Sequence, residues 1–315
     1  MIAVLAGGVG GARFVDGVAQ VAGAESVSAI VNTADDFDHY GLRICPDIDT
    51  VLYTLAGIAD PVNGWGIAGD TRATLDGIAA YGEEPWFLLG DRDFSTHILR
   101  TAWLGNGIPL TSVIYFLRSR LGVGSQILPM SDESVATRIL TTDGELAFQD
   151  YFVRRRQTDE VHGVRFAGID SAQPTEAALT ALSDAELILL APSNPIVSIG
   201  PILAIPAYRR ALQHRHRPVV AISPIIGGKA LKGPADRMLA SLGHESTALG
   251  VARVYAGLVD GFVIDAVDTD LAPDIEALGM DVLVTDAIMH DQADRGRFAR
   301  EVLKFAQTIA VRTAV

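Results

Sequence analysis

Cysteine is almost missing from this sequence: Cys45 is the only one in 315 residues. That excludes an intrachain disulfide and any zinc cluster built from the cysteines of one chain. Positive charge is also scarce, with 25 Lys and Arg against 38 Asp and Glu and a formal net charge of −13. Such a chain repels phosphate backbones, which excludes nucleic acid as a general partner but leaves room for a local cationic pocket that takes a small anion. Long hydrophobic runs are missing as well. Runs such as ELILLAP and PVVAIS fall far short of the roughly 20 apolar residues that span a bilayer. The start has no basic residue, and glycines break its apolar run after Ala6, so it does not read as a signal peptide. The expectation is a cytoplasmic protein without a membrane partner.

What is present is a βα alternation. IAVLA, SVSAIV, ELILLA (186–191), PVVAIS (218–223), GFVIDA (261–266) and MDVLVT (280–285) are short, nearly continuous apolar runs. They suit parallel strands covered on both faces. Helical patterns from Gly11 to about Ala22, Gly250 to Val259 and Asp291 to Ala310 lie between or after them. The expected fold is α/β: a Rossmann-like, doubly wound, mostly parallel sheet with helices on both faces. Asp143-Gly144 between two alternating stretches predicts a hairpin that a parallel core does not need. The chain is therefore read as one domain, 1–315, with a core of 1–105 and 185–315 and an inserted helix and hairpin region over 106–184.

The first strand runs into AGGVGGARF. A strand, a glycine-rich turn and a helix make an anion site, because the first N–H groups of the helix have no acceptor and the dipole favours negative charge. Gly8, Gly10 and Gly11 are the candidates for close approach of a phosphate. Arg13 takes the last glycine place of a GxGxxG pattern, and the second strand ends at Asn32 rather than an acid, which argues against NAD and a dehydrogenase. Asn32, Thr33, Asp35, Asp36 and Asp38 crowd the loop after that strand, and Asp47 and Asp49 open the helical run PDIDTVLYTLAG. Asp47 as a helix cap and Asp49 in the first turn is the plain structural reading. So many acids beside a phosphate would repel it without a cation between them, and Mg²⁺, which takes one or two carboxylates with phosphate oxygens, fits. Asp47, Asp49 and Asp36 are the candidate metal ligands. Asp35 and Asp38 are expected to be solvated.

GDRDFSTH (90–97) offers Asp91 and Arg92 for catalysis or positioning, with Asp93 as a cap and His97 as a packing or surface residue. Ser193 and Asn194 follow a strand end, and Gly227, Gly228, Lys229 and Lys232 form a second glycine and lysine turn. Both turns are candidates for contact with an anion or a base. Arg154 to Arg156 and HRHR (214–217) read as solvated charge.

AGGVGGARF, VNTADDFDHYGLRICPDIDTVLY, GDRDFSTH, ILPMSDE, APSNPIVSIGPIL and SPIIGGKALKGPA occur in this order. Together they resemble the 2-phospho-L-lactate transferase family of deazaflavin coenzyme F-420 biosynthesis, over almost the whole chain. The resemblance implies a Mg²⁺-dependent, homodimeric enzyme. It would move a phosphorylated three-carbon acid from a guanosine diphosphate conjugate to the ribityl hydroxyl of the deazaflavin Fo, releasing GMP and giving F-420-0 or its dehydro form. It further implies that Asp47 or Asp49 holds the metal and orients the hydroxyl. Asp91 and Arg92 would position a substrate, while Ser193, Asn194, Gly228 and Lys229 would face the guanosine. The Ala- and Arg-rich, Lys-poor composition resembles actinobacterial members, which points to phosphoenolpyruvate rather than 2-phospholactate as the transferred acid. The rival is a regulatory protein of the gluconeogenesis factor type, which binds nucleotide sugars without turning them over; PDIDTVLY and GDRD favour the transferase.

Overall fold

The computed structural model describes residues 1–213 and 217–313. Seven strands form its main sheet: β1 (Ile2–Ala6), β2 (Val27–Val31), β3 (Gln126–Pro129), β4 (Leu187–Leu190), β5 (Val219–Ile222), β6 (Gly261–Asp265) and β7 (Asp281–Thr285). Across the sheet they run 3-2-1-4-5-6-7, and every neighbouring pair is parallel. This is the Rossmann order extended by one strand. Successive side chains of a strand point to opposite faces. Accordingly Ala3, Leu5, Ile188 and Leu190 join one hydrophobic core while Val4, Ala6, Leu187 and Leu189 join another. Burial on both faces is why these strands read as unbroken apolar runs. Helix α1 (Gly8–Ala22) carries the chain from β1 to β2. From β2 the chain continues outward to β3, then returns on the other side of β1 as β4. The loops after β1 and β4 therefore diverge, and a crevice opens at the carboxyl ends of the strands.

The expected insertion is too wide at both ends. Residues 126–129, inside the 106–184 span, are the edge strand β3, paired in register with β2 from Ser28 opposite Gln126 to Val31 opposite Pro129. What departs from the parallel plan is a three-stranded antiparallel sheet of Ala136–Thr141, Gly144–Ala147 and Val161–Ala167. A hairpin forms in the expected stretch, but its turn is Thr142-Asp143, with Gly144 already paired to Thr141 and Leu140 opposite Glu145. A second, short hairpin went unread in the acidic loop: Phe37–His39 pairs with Leu42–Ile44 around Tyr40 and Gly41, both at positive φ. Of HRHR, His214, Arg215 and His216 lie outside the described residues; Arg217 donates to the Asp184 carbonyl at 3.5 Å. Arg154 and Arg155 are exposed beside Asp150, in line with a solvated charge run.

Candidate active site

The crevice is a cavity of about 780 Å³, a size that suits a small-molecule ligand. The turn after β1, the turn after β4, the start of α2 (Pro46–Leu55), α4 (Asp91–Gly105), a loop at 62–66 and the segment 223–235 all reach it. The glycine loop owes most of its composition to the protein itself. A Cβ on Gly7 would lie 2.4 Å from Asp47 Oδ2 and 2.8 Å from Ser198 Cβ; one on Gly10 would lie 2.6 Å from the Pro192 carbonyl oxygen, and one on Gly11 2.6 Å from Ser193 Oγ. Only Gly8 combines a positive φ of 65° with open space, and it lines the cavity.

Ser193 fastens the two turns: its hydroxyl accepts from the Gly7 N–H at 3.2 Å and donates to the Gly7 carbonyl at 2.8 Å. Its proton is thus taken within the protein, while one lone pair remains on a side chain that lines the cavity. The Gly8 N–H donates to Asp47 Oδ1 at 2.8 Å. The following N–H groups, of Val9 and Gly10 in the first turn of α1, are those that a helix leaves open to an anion. These contacts separate two glycines. Gly7→Ala should destabilise by about 1–3 kcal/mol through overpacking and also lower turnover by shifting Asp47. Gly8→Ala should cost about 1–2 kcal/mol for the left-handed backbone alone. Paired urea melts and rate measurements check both.

Asp47 is not the cap of α2. Cys45 occupies that place, Pro46 starts the helix, and the carboxylate turns toward the glycine loop. Asn32 Nδ2 donates to Asp47 Oδ2 at 3.0 Å and to Asp35 Oδ2 at 3.2 Å, while its Oδ1 accepts from the Ala34 N–H. Asn32 is therefore a buried bracket between two acids rather than a ligand contact. Asp35, expected to be solvated, is buried and lines the cavity beside Asp47, and its Oδ1 has no hydrogen-bond partner. Burial pushes both carboxyls up, and the Asp47 charge adds to the rise at Asp35.

The expected ligand set of Asp36, Asp47 and Asp49 does not assemble. No group of three or more His, Cys, Asp or Glu among the described residues is placed to hold a metal. Asp49 is engaged by Arg100, which donates through Nη1 at 3.0 Å and through Nη2. Asp36 is buried, does not line the cavity, and lies 3.9 Å from Arg43. Burial raises its carboxyl to about 7 against the partial relief given by Arg43. A folded-state value raised above the unfolded one stabilises at low pH and loses that contribution as pH climbs through about 7. The loss is up to about 4 kcal/mol. Asp36→Asn should flatten the stability profile between pH 4 and pH 8 and raise the melting temperature at pH 8, with turnover kept.

The GDRD segment divides in an unexpected way. Asp91 faces away from the cavity and serves the neighbouring helix α3 (Ala73–Ala80), accepting from the Ala73 N–H at 2.9 Å, the Thr74 N–H at 2.8 Å and the Thr71 hydroxyl at 2.5 Å. Those bonds hold its carboxyl well below the ordinary range. Arg92 donates to the Ala68 carbonyl and is likewise outside the lining. Asp93 and His97 line the cavity instead. Asp93 is no cap: Gly90 holds that place in α4. Tyr53 donates to Asp93 Oδ1 at 2.6 Å, and His97 Nε2 stands 3.2 Å from the same oxygen. Arg100, a donor only, lies 3.3 Å from His97 Nδ1, and His97 Nε2 is buried without a hydrogen-bond partner. Burial works to raise Asp93, but the neighbouring His97 and the hydrogen bond from Tyr53 outweigh it and lower its carboxyl. Sequence reading missed this buried pair; the i, i+4 spacing of Asp93 and His97 was the available signal.

Among the remaining candidates, Asn194 lines the cavity, its Oδ1 accepting from the Ile196 and Val197 N–H groups. Thr33 is buried off the cavity, and Gly11 packs inside. Gly227 and Gly228, both at positive φ, turn the hairpin that pairs Ile226 with Lys229. Gly228 and Lys229 do not reach the cavity; Lys232 does.

A parallel sheet with a crevice at its switch point, lined by buried carboxylates and a helix N-terminus, defines a Rossmann-like α/β protein with a small-molecule site. Residues 2–294 match the family model for 2-phospho-L-lactate transferase CofD, and the chain belongs to that transferase family. It is 44% identical over 314 residues to the phosphoenolpyruvate transferase of Streptomyces griseus, covering 98% of this chain and 99% of that protein. It is 40% identical over 333 residues to the phosphoenolpyruvate transferase of Mycobacterium avium, covering 97% and 98%. Among solved structures, a member of the UPF0052 family from Bacillus halodurans shares the fold with a TM-score of 0.65 at 15% identity, over 96% of this chain and 98% of that one. No helix among the described residues is long and apolar enough to cross a membrane.

Proposed function

We propose that this protein transfers a phosphoenolpyruvyl group from a guanosine diphosphate conjugate to the terminal ribityl hydroxyl of Fo, releasing GMP and giving dehydro-F-420-0. The observation that carries the reading is one cavity in which the open N–H groups of α1, the buried Asp35 and Asp47, and an aromatic wall meet. The names of relatives at 40–44% identity give the transferred group.

The reaction is a displacement at phosphorus, which needs alignment and charge neutralisation more than a covalent intermediate. The first turn of α1 would take phosphate oxygens. Trp65, Phe87, Phe148 and Phe152 also line the cavity, the last two stacked 5.4 Å apart, and would receive the flat deazaflavin. Asp35 and Asp47, which both line the cavity, are the pair that would hold Mg²⁺. When bound, Mg²⁺ neutralises charge on phosphate oxygens. Asp93, kept ionised beside Tyr53 and His97, would accept a hydrogen bond from the attacking hydroxyl and orient its oxygen. A homodimer is part of the proposal, and light scattering checks it.

The test is incubation with Fo, Mg²⁺ and each guanosine diphosphate donor, followed by mass analysis. A product from the enolpyruvyl donor supports the reading; one only from the lactyl donor, two hydrogens heavier, changes the transferred acid. Formation of neither, with no change in Fo fluorescence on titration, sinks it.

A further inference from the structure

The cavity has a cationic corner that the reading above leaves unused. Arg13, on α1, and Lys232 both line it. Three segments distant in sequence converge there. A Cβ on Gly64 would lie 2.5 Å from Val9 Cγ1 and 3.5 Å from Lys232 Nζ. Lys232 Nζ donates to the Asn63 carbonyl at 2.6 Å and approaches the Val62 carbonyl at 3.4 Å. Arg13 Nη1 reaches only the Met289 carbonyl, at 3.4 Å, and its buried Nε has no partner.

Neither cation forms an ion pair among the described residues. Arg295 beside Arg13 is itself taken by Asp16 at 3.0 Å. The effect is visible in both groups: burial, and then the neighbouring cation, lowers Arg13 and Lys232 from their ordinary values, with Asp60 giving Lys232 only weak relief. Two cations that repel each other cost stability. In a chain of net charge −13 acids are plentiful, yet Asp60 near Lys232 and Asp16 on Arg295 leave both cations without an ion pair of their own among the described residues. Carbonyl acceptors leave donors of both groups free to face the cavity.

We propose that Arg13 and Lys232 clamp an anionic group of the bound donor, a phosphate or a carboxylate, within the cavity. The clamp rests on the transferase reading for the identity of the donor but not for its anion chemistry. Arg13 supplies a planar fork and Lys232 a point charge. The cationic corner adds positive charge to a cavity that the carboxylates Asp35 and Asp47 also line, so an anion is drawn to the side of Arg13 and Lys232.

The test needs no turnover. GDP, GMP and phosphoenolpyruvate are titrated calorimetrically into the wild type, Arg13→Gln, Arg13→Lys and Lys232→Gln. Each Gln variant should weaken at least one of GDP or phosphoenolpyruvate by about tenfold or more, as for a lost charged hydrogen bond, with a shallower salt dependence, and Arg13→Lys should recover part of it. Loss for GDP but not GMP assigns the clamp to the diphosphate; loss for phosphoenolpyruvate alone assigns it to the three-carbon acid. Unchanged affinities for all three ligands in both Gln variants overturn the proposal, and so does an unaltered donor KM in variants that turn over. If the wild type turns over no donor while the Gln variants still lose affinity, the clamp stands and the transferase reading falls.

Discussion

Asp47→Asn should cut turnover by about 100-fold or more while the protein still unfolds cooperatively. Asp47 is the one acid that touches the glycine loop and also faces Asp35 through a shared Asn32 amide. An amide in its place keeps the shape and removes the charge that would hold Mg²⁺. It also turns one acceptor into a donor, opposite either the Gly8 N–H or Asn32 Nδ2, so turnover should not return at high Mg²⁺. Steady-state rates over a Mg²⁺ series, with thermal melts of the same samples, measure this. Rates within a few-fold of the wild type would remove Asp47 from the chemistry.

Arg100→Met should destabilise the fold by about 3–5 kcal/mol, the cost of leaving one half of a buried ion pair. Arg100 is fully buried, and its guanidinium joins Asp49, His97 and the Arg43 carbonyl. Methionine fills much of the volume and leaves the Asp49 carboxylate buried without its partner. The double variant Asp49→Asn/Arg100→Met should regain a good part of the loss, because the stranded charge is then gone. Urea unfolding of the wild type, both single variants and the double variant closes the cycle. Equal, additive losses would mean that the pair contributes only packing.

The doubly wound plan was legible because parallel strands buried on both faces leave apolar runs that periodicity finds. The edge strand β3 was not. It is the four residues QILP, short and ending in proline, and it reads as loop until β2 supplies its partner. The glycine loop was legible as a turn, but its reason was not: Pro192, Ser193 and Ser198, which crowd Gly7, Gly10 and Gly11, lie far along the chain. GDRD was legible as a special segment and misleading in detail. Two acids two places apart on a helix leave in different directions, so Asp91 serves α3 while Asp93 faces the cavity. Asp49 was picked out for its carboxylate, yet which cation would claim it depended on Arg100, 51 residues away.

The pairing of β1 with β4 has a consequence during synthesis. On the ribosome, β1, β2 and β3 emerge first, and β1 then carries an open, apolar edge until residues 187–190 arrive to cover it. Such an edge invites wrong partners. The crevice is likewise incomplete until then, because the turn after β4 and the segment 223–235 that line it come from the second half of the chain.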